Sequence, residues 1–196
     1  MSVESPVNSD TSAKYNKVIV DELKSACPQA DCEYQPSARF GDEDVLVVKN
    51  HEAILQVNKV LVKHYPFLMD VCGVDYPGRD KRFDVVYHYA DPEKNRRLRV
   101  KTRVNDTDAI PSLTPVYKAA NWFEREAYDM FGVQFKDHPN MRRILCHEDF
   151  VGYPLRKDYP AHKNQELLTP IDHVFAKDRD RMMGEGEDYL SEKVWL

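Results

Sequence analysis

Seven glycines in 196 residues leave little material for phosphate-cradling loops. Neither G-x-G-x-x-G nor G-x-x-x-x-G-K-[ST] occurs, so no standard dinucleotide or ATP loop is expected, and no G-x-S-x-G marks a nucleophile. The four cysteines, Cys27, Cys32, Cys72 and Cys146, form no C-x-x-C pair, zinc module or ferredoxin-type run, which points to inert thiols. Seven histidines include no H-E-x-x-H; His138 and His147, the latter beside Cys146, are the nearest to a cluster and read as loop residues. No apolar run approaches the ~18 residues of a membrane span, and mean hydropathy is -0.64. Residues 1–13 hold no arginine and no apolar run, against a secretory or transit peptide, and are expected to be a flexible lead.

Apolar residues make up 42% of the chain, enough for one sizeable core. That core is expected within 14–145. A helix is predicted over Lys14 to Ala26, stopped by Pro28, and a hairpin in "CEYQPSARFGDEDVLVVKN" around its Gly-Asp-Glu-Asp turn. Asn50 can cap a second helix that Pro66 ends, and "FLMDVCGVDY" reads as a buried strand. The firmest β signal follows. Phe83, Val85, Tyr87 and Tyr89, then Leu98, Val100, Thr102 and Val104, occupy alternate positions on either side of Asp-Pro-Glu-Lys-Asn. A third helix is expected from Pro115, behind Thr114, to Gly132. The fold class is α/β of the α+β kind: a small mixed or antiparallel sheet covered by helices on one face, followed by a long extended C-terminal segment.

That segment, 146–196, carries 7 basic and 11 acidic side chains and sustains neither helix nor strand periodicity. It is too long for an ordinary loop. Its anchors Phe150, Tyr153, Leu155, Tyr159, Leu167, Leu168, Phe175, Tyr189 and Trp195 suit a tail laid along another protein, because a solvated tail has no need of large apolar groups.

In "NWFEREAYDMFG" two carboxylates bracket Arg125. At ~100° per residue, Glu124 and Glu126 diverge around a helix, whereas an acid/base pair must converge on one substrate. A charged bracket is the better reading. Glu126, three residues from Phe123 and four from Met130, is expected to be partly desolvated and to pair with Arg142 or Arg143. The alternating cations Arg97, Arg99, Lys101 and Arg103 form a row on one sheet face; they suit an acidic protein, water, or the phosphates of a nucleic acid, against which the net charge of -5 argues.

From Glu124 to Leu145, "EREAYDMFGVQFKDHPNMRRIL" resembles the signature of the 30-kDa (C-type) subunit of respiratory complex I. Its Glu-Arg-Glu, Asp129, apolar Met130 and Phe131, basic positions His138 and Arg142, and apolar Ile144 and Leu145 are all filled. "RLRVKTRV", "AANW" and "GYPLRKDYP" resemble further family blocks in order, so the likeness spans about 45–162. It implies a non-catalytic subunit of the peripheral arm of a proton-translocating NADH:quinone oxidoreductase, or of a related membrane-bound hydrogenase or quinone-module dehydrogenase. It further implies no catalytic, cofactor-binding or metal residues on this chain, with FMN, iron-sulfur clusters and quinone held by other subunits. The implied partners are the 49-kDa (D-type) subunit and the neighbouring cluster-bearing subunits, with membrane contact only through the complex, on the cytoplasmic face of a bacterial inner membrane or the matrix face in mitochondria. Glu124, Arg125, Glu126 and Asp129, their partners Arg142 and Arg143, and Arg156, Lys157 and Asp158 at the start of the tail are then expected to be interface and architecture residues.

Overall fold

In the computed structural model the described residues are 9–36, 44–147 and 149–162, with side chains described from Tyr15 onward. The compact unit runs to Lys163. Leu167, Leu168, Phe175, Tyr189 and Trp195 therefore lie outside the described residues.

Helix α1 (Ser9–Ala26) begins before the expected Lys14, inside the stretch read as a flexible lead. Its Ile19, Val20 and Leu23 are buried. Strands β1 (Cys32–Gln35) and β2 (Asp44–Val48) form the predicted antiparallel pair. Asn50 caps the next turn, its side chain accepting from the Glu52 N–H, and leads into α2 (Ile54–Leu61). Strands β3 (Phe67–Asp75), β4 (Phe83–Asp91) and β5 (Arg96–Val104) form an antiparallel meander.

Strand β5 also pairs with β2, in parallel, giving one mixed sheet of order β1-β2-β5-β4-β3. Phe83, Val85, Tyr87, Tyr89, Leu98, Val100 and Val104 all face one core, as their period-2 spacing requires. Because β3 lies at the sheet edge, it is less buried than its apolar sequence suggested; Phe67 is exposed.

A second pair, β6 (Ala109–Pro111) with β7 (Gln134–Lys136), is parallel and brackets α3 (Ala120–Phe131) in sequence. The third helix starts at Ala120 rather than Pro115. Leu113 and Tyr117 are both buried, and the Tyr117 hydroxyl donates to the Tyr65 carbonyl at 2.8 Å, so 113–117 is spent on a turn that reaches into the core. Gly132 ends α3 as expected, at φ 78°, with its N–H on the Tyr128 carbonyl. Phe131 packs on Gly73 of β3, where a Cβ would not fit. Gly73 pairs with Val85, so α3 shares the core face with α1 and α2.

Candidate functional site

The charged signature is built around α3, whose buried positions are Ala120, Glu124, Ala127 and Asp129. Glu124 is the desolvated glutamate, not Glu126, which is exposed. Ala120, Glu124, Ala127 and Phe131 follow one another at i, i+4, i+7 and i+11, so Glu124 stands inside the apolar stripe rather than at its border. Its Oε1 accepts from the Leu113 N–H and its Oε2 from the Ser112 hydroxyl, each at 2.7 Å. Burial nevertheless pushes its carboxyl up to about 7, outweighing both donors.

His138 stands 4.0 Å from that carboxyl, with both side chains fully shielded from solvent. Its Nδ1 accepts from the Asn140 N–H at 3.0 Å, which leaves Nε2 to donate to the Asn121 carbonyl at 3.2 Å. Burial holds the ring below its usual value, so it is a neutral strut between α3 and the loop after β7.

The arginines expected to meet Glu126 go elsewhere. Arg143 donates through Nη1 to Asp129 Oδ1 at 2.6 Å, and through Nη2 to the Gly152 carbonyl at 2.8 Å. Arg142 donates to the Asn140 side chain instead. Asp129 Oδ2 accepts the N–H groups of Ile144, Leu145 and Cys146 at 3.0, 2.7 and 2.8 Å. Burial alone would raise this carboxyl, but the three N–H groups and Arg143 hold it below the usual range. Arg125 supplies a second stitch to the same loop, donating to the Arg142 and Arg143 carbonyls at 3.1 and 3.2 Å. Its guanidinium lies 5.2 Å from the centre of the exposed Trp122 ring.

Residues 149–162, the start of the expected tail, are tied to the domain. The Leu155 N–H donates to the Met130 carbonyl. Arg156 donates to the Phe131 carbonyl at 2.5 Å, pairs with Asp106 at 2.6 Å and lies over the Phe83 and Tyr153 rings. The Lys157 N–H donates to Asp75 at 2.7 Å, and Asp158 accepts from Arg82 at 2.9 Å. Arg82 also grips Asp75 through two bonds of 2.7 and 2.8 Å, and this pairing holds the buried Asp75 below its usual range. Arg156, Lys157 and Asp158 thus close a lock with Asp75, Arg82 and Asp106, three residues that sequence reasoning missed. The only signal available was the turn "PGRD", which brings Arg82 back beside Asp75 across β3 and β4.

Among the described residues no three metal-ligating side chains cluster, and all four cysteines are free thiols. Glu124 and Asp129 spend their oxygens on donors of this chain. The geometry is that of a bracket, with groups paired inward.

A family model for the respiratory-chain NADH dehydrogenase 30 Kd subunit matches residues 47–165. The chain belongs to that family. It is 50% identical over 153 residues to the C/D-type NADH-quinone oxidoreductase subunit of Bdellovibrio bacteriovorus, covering 78% of this chain and 27% of that protein. Over 92 residues it is 59% identical to the C-type NADH-quinone oxidoreductase subunit of Sinorhizobium medicae, covering 47% of this chain and 46% of that one. The match thus spans about half of such C-type relatives and about a quarter of the C/D-type protein. Among solved structures, a chain of an archaeal membrane-bound sulfane sulfur reductase has the same fold at TM-score 0.62 and 22% identity, covering 92% of this chain and 99% of that chain. A trypsin-resistant fragment of Nqo5 matches at TM-score 0.52 and 24% identity, over 62% of this chain and 98% of the fragment.

Proposed function

We propose that this 30-kDa-family chain is a structural subunit of the peripheral arm of a proton-translocating NADH:quinone oxidoreductase, shaping the quinone module while electrons pass through other subunits. The observation that carries this reading is the inward pairing of the signature. Asp129, Arg125, Arg143 and Arg156 are consumed in fixing the 141–158 segment onto α3 and the sheet, and Glu124 in holding Ser112 and Leu113 against α3. A set of charges spent on its own backbone is suited to architecture and poorly suited to turnover. FMN, iron-sulfur clusters and quinone would be bound by neighbours. No helix among the described residues is long and apolar enough to cross a membrane, consistent with membrane attachment through partners, on the cytoplasmic face of a bacterial membrane or the matrix face of a mitochondrial one.

The relative whose name joins the C and D types in one chain supports a D-type, 49-kDa protein as the principal neighbour. Affinity purification of the tagged full chain from its own membranes tests the proposal. We expect recovery of flavin- and cluster-bearing subunits together with NADH:quinone activity. Recovery of the chain without any of them removes it.

A further inference from the structure

Helix α3 turns Ala120, Glu124 and Ala127 inward, and its opposite face outward. Trp122 comes two residues after Ala120, so about 200° round the helix from that stripe, and is 62% exposed. Asp129, seven residues further on, lies on the same outer side. It is nevertheless buried, because its ion pair with Arg143 and the N–H groups of Ile144, Leu145 and Cys146 draw the 143–146 segment over it. The chain covers one end of this outer face and leaves the other end open.

The open end is apolar and stiff. Leu145, on the covering segment, is 63% exposed, and Leu155, whose N–H holds the Met130 carbonyl near the end of α3, is 52% exposed. Arg125 joins Trp122 to that segment: its guanidinium lies 5.2 Å from the indole centre, and its Nε and Nη2 donate to the Arg142 and Arg143 carbonyls. One exposed apolar side chain is ordinary. An indole on a helix, braced by an arginine that is itself fixed to backbone, has little freedom left to lose on binding, and tryptophan and arginine are the residues that most often anchor protein interfaces.

The polar groups beside the ring decide what it suits. Among the described residues neither the indole Nε1–H nor Arg125 Nη1 meets an acceptor. Lys118, in the turn that leads into α3, and Arg142 are exposed, against the exposed carboxylates Glu126 and Asp137. Open donors next to an apolar ring, with cations in excess, call for a carboxylate at the rim of an apolar socket. A lipid surface is a poorer occupant, since Glu126, one turn from Trp122, would enter an anionic headgroup layer with it. A second copy would bring two cationic patches together.

We propose that the open end of the outer α3 face, with Trp122 as its anchor, docks into an apolar socket with a carboxylate at its rim on a neighbouring protein subunit. The inference rests on the structural role proposed above and adds to it a surface and a partner chemistry. Trp122 makes no side-chain hydrogen bond of the α3 bracket, so the fold can be kept while the anchor is removed.

The test uses the tagged full chain expressed in its own membranes. With Trp122→Ala, co-recovery of cluster-bearing subunits should fall about 10-fold, while the purified variant keeps the wild-type melting temperature. If that temperature drops, Leu145→Glu replaces it, with a loss of about 3-fold expected from a carboxylate set against the socket. Trp122→Phe, which keeps a ring and loses the N–H, should fall about 3-fold. A photo-crosslinking amino acid at position 118 should capture a peptide of another subunit in which Asp or Glu stands among apolar residues. Equal recovery of wild type and the folded Trp122→Ala or Leu145→Glu chain overturns the docking face, as do crosslinks to this same chain, to a second copy or to lipid. Full recovery with Trp122→Phe overturns the carboxylate. Wild-type chain recovered without cluster-bearing subunits overturns the structural role instead, so the failures are told apart.

Discussion

Glu124 takes the desolvated place that spacing gave to Glu126, and this changes what each substitution should do. Glu126→Ala would cost on the order of 3 kcal/mol were the side chain desolvated and paired; because it is exposed, the substitution should shift stability by no more than ~0.5 kcal/mol. Asp129→Ala should instead cost ~3 to 5 kcal/mol, since it strands Arg143 and three N–H groups. Urea unfolding of the purified chain measures both. The buried pair predicts a pH dependence. Glu124, raised from its ordinary 4.5 to about 7, contributes stability fully below the lower value and loses it as pH rises through the higher. His138, lowered from 6.5 by burial, works the opposite way, contributing above 6.5 and losing as pH falls. The difference between wild type and Glu124→Gln isolates the carboxyl. Between about pH 5 and 8 the wild type should lose stability relative to this variant, and a flat difference would exclude the assignment. A glutamate at the centre of an apolar stripe was illegible in sequence because its partners, the Ser112 hydroxyl and the Leu113 N–H, come from a loop with no periodicity.

Elements were legible where one period ran unbroken. Strand β5 alternates strictly, and in both β4 and β5 every residue read as facing the core is buried, although β4 also buries Asp84 and Val86 on its other face. Helix α3 was legible at its end and not at its start. Gly132 has one conformational reason to be there, while Thr114 and Pro115 are plausible starters that the burial of Leu113 and Tyr117 overrides. The same glycine gives an element-scale prediction. A Cβ at Gly132 would run into the Arg156 guanidinium and the Tyr153 ring, in a backbone region that L-residues avoid. Gly132→Ala should cost ~1 to 3 kcal/mol and loosen the segment beyond it, visible as faster proteolysis between 150 and 160 with the strands still protected.

At the scale of the whole molecule, the boundary expected at 145 falls inside the compact unit, because the residues that tie 149–162 down are not a periodic stripe. They are backbone N–H groups and single arginines, whose partners Asp75, Arg82 and Asp106 lie far away in sequence. A chain ending after Leu145 should unfold at lower urea than one ending after Lys163, which should keep the full cooperative transition of this unit; equal midpoints would refute the lock. The parallel pairing of β2 with β5 has a kinetic consequence. Val48 and Thr102 are joined across 54 residues, and the Thr102 hydroxyl donates to the Val48 carbonyl at 3.0 Å. Closing so long a loop is slow, and during synthesis the β1–β2 hairpin emerges well before the strand that completes it. Until Thr102 leaves the ribosome, β2 waits with one edge unpaired, and this is the stretch of the chain's life in which a chaperone, or another copy, has the best access to it.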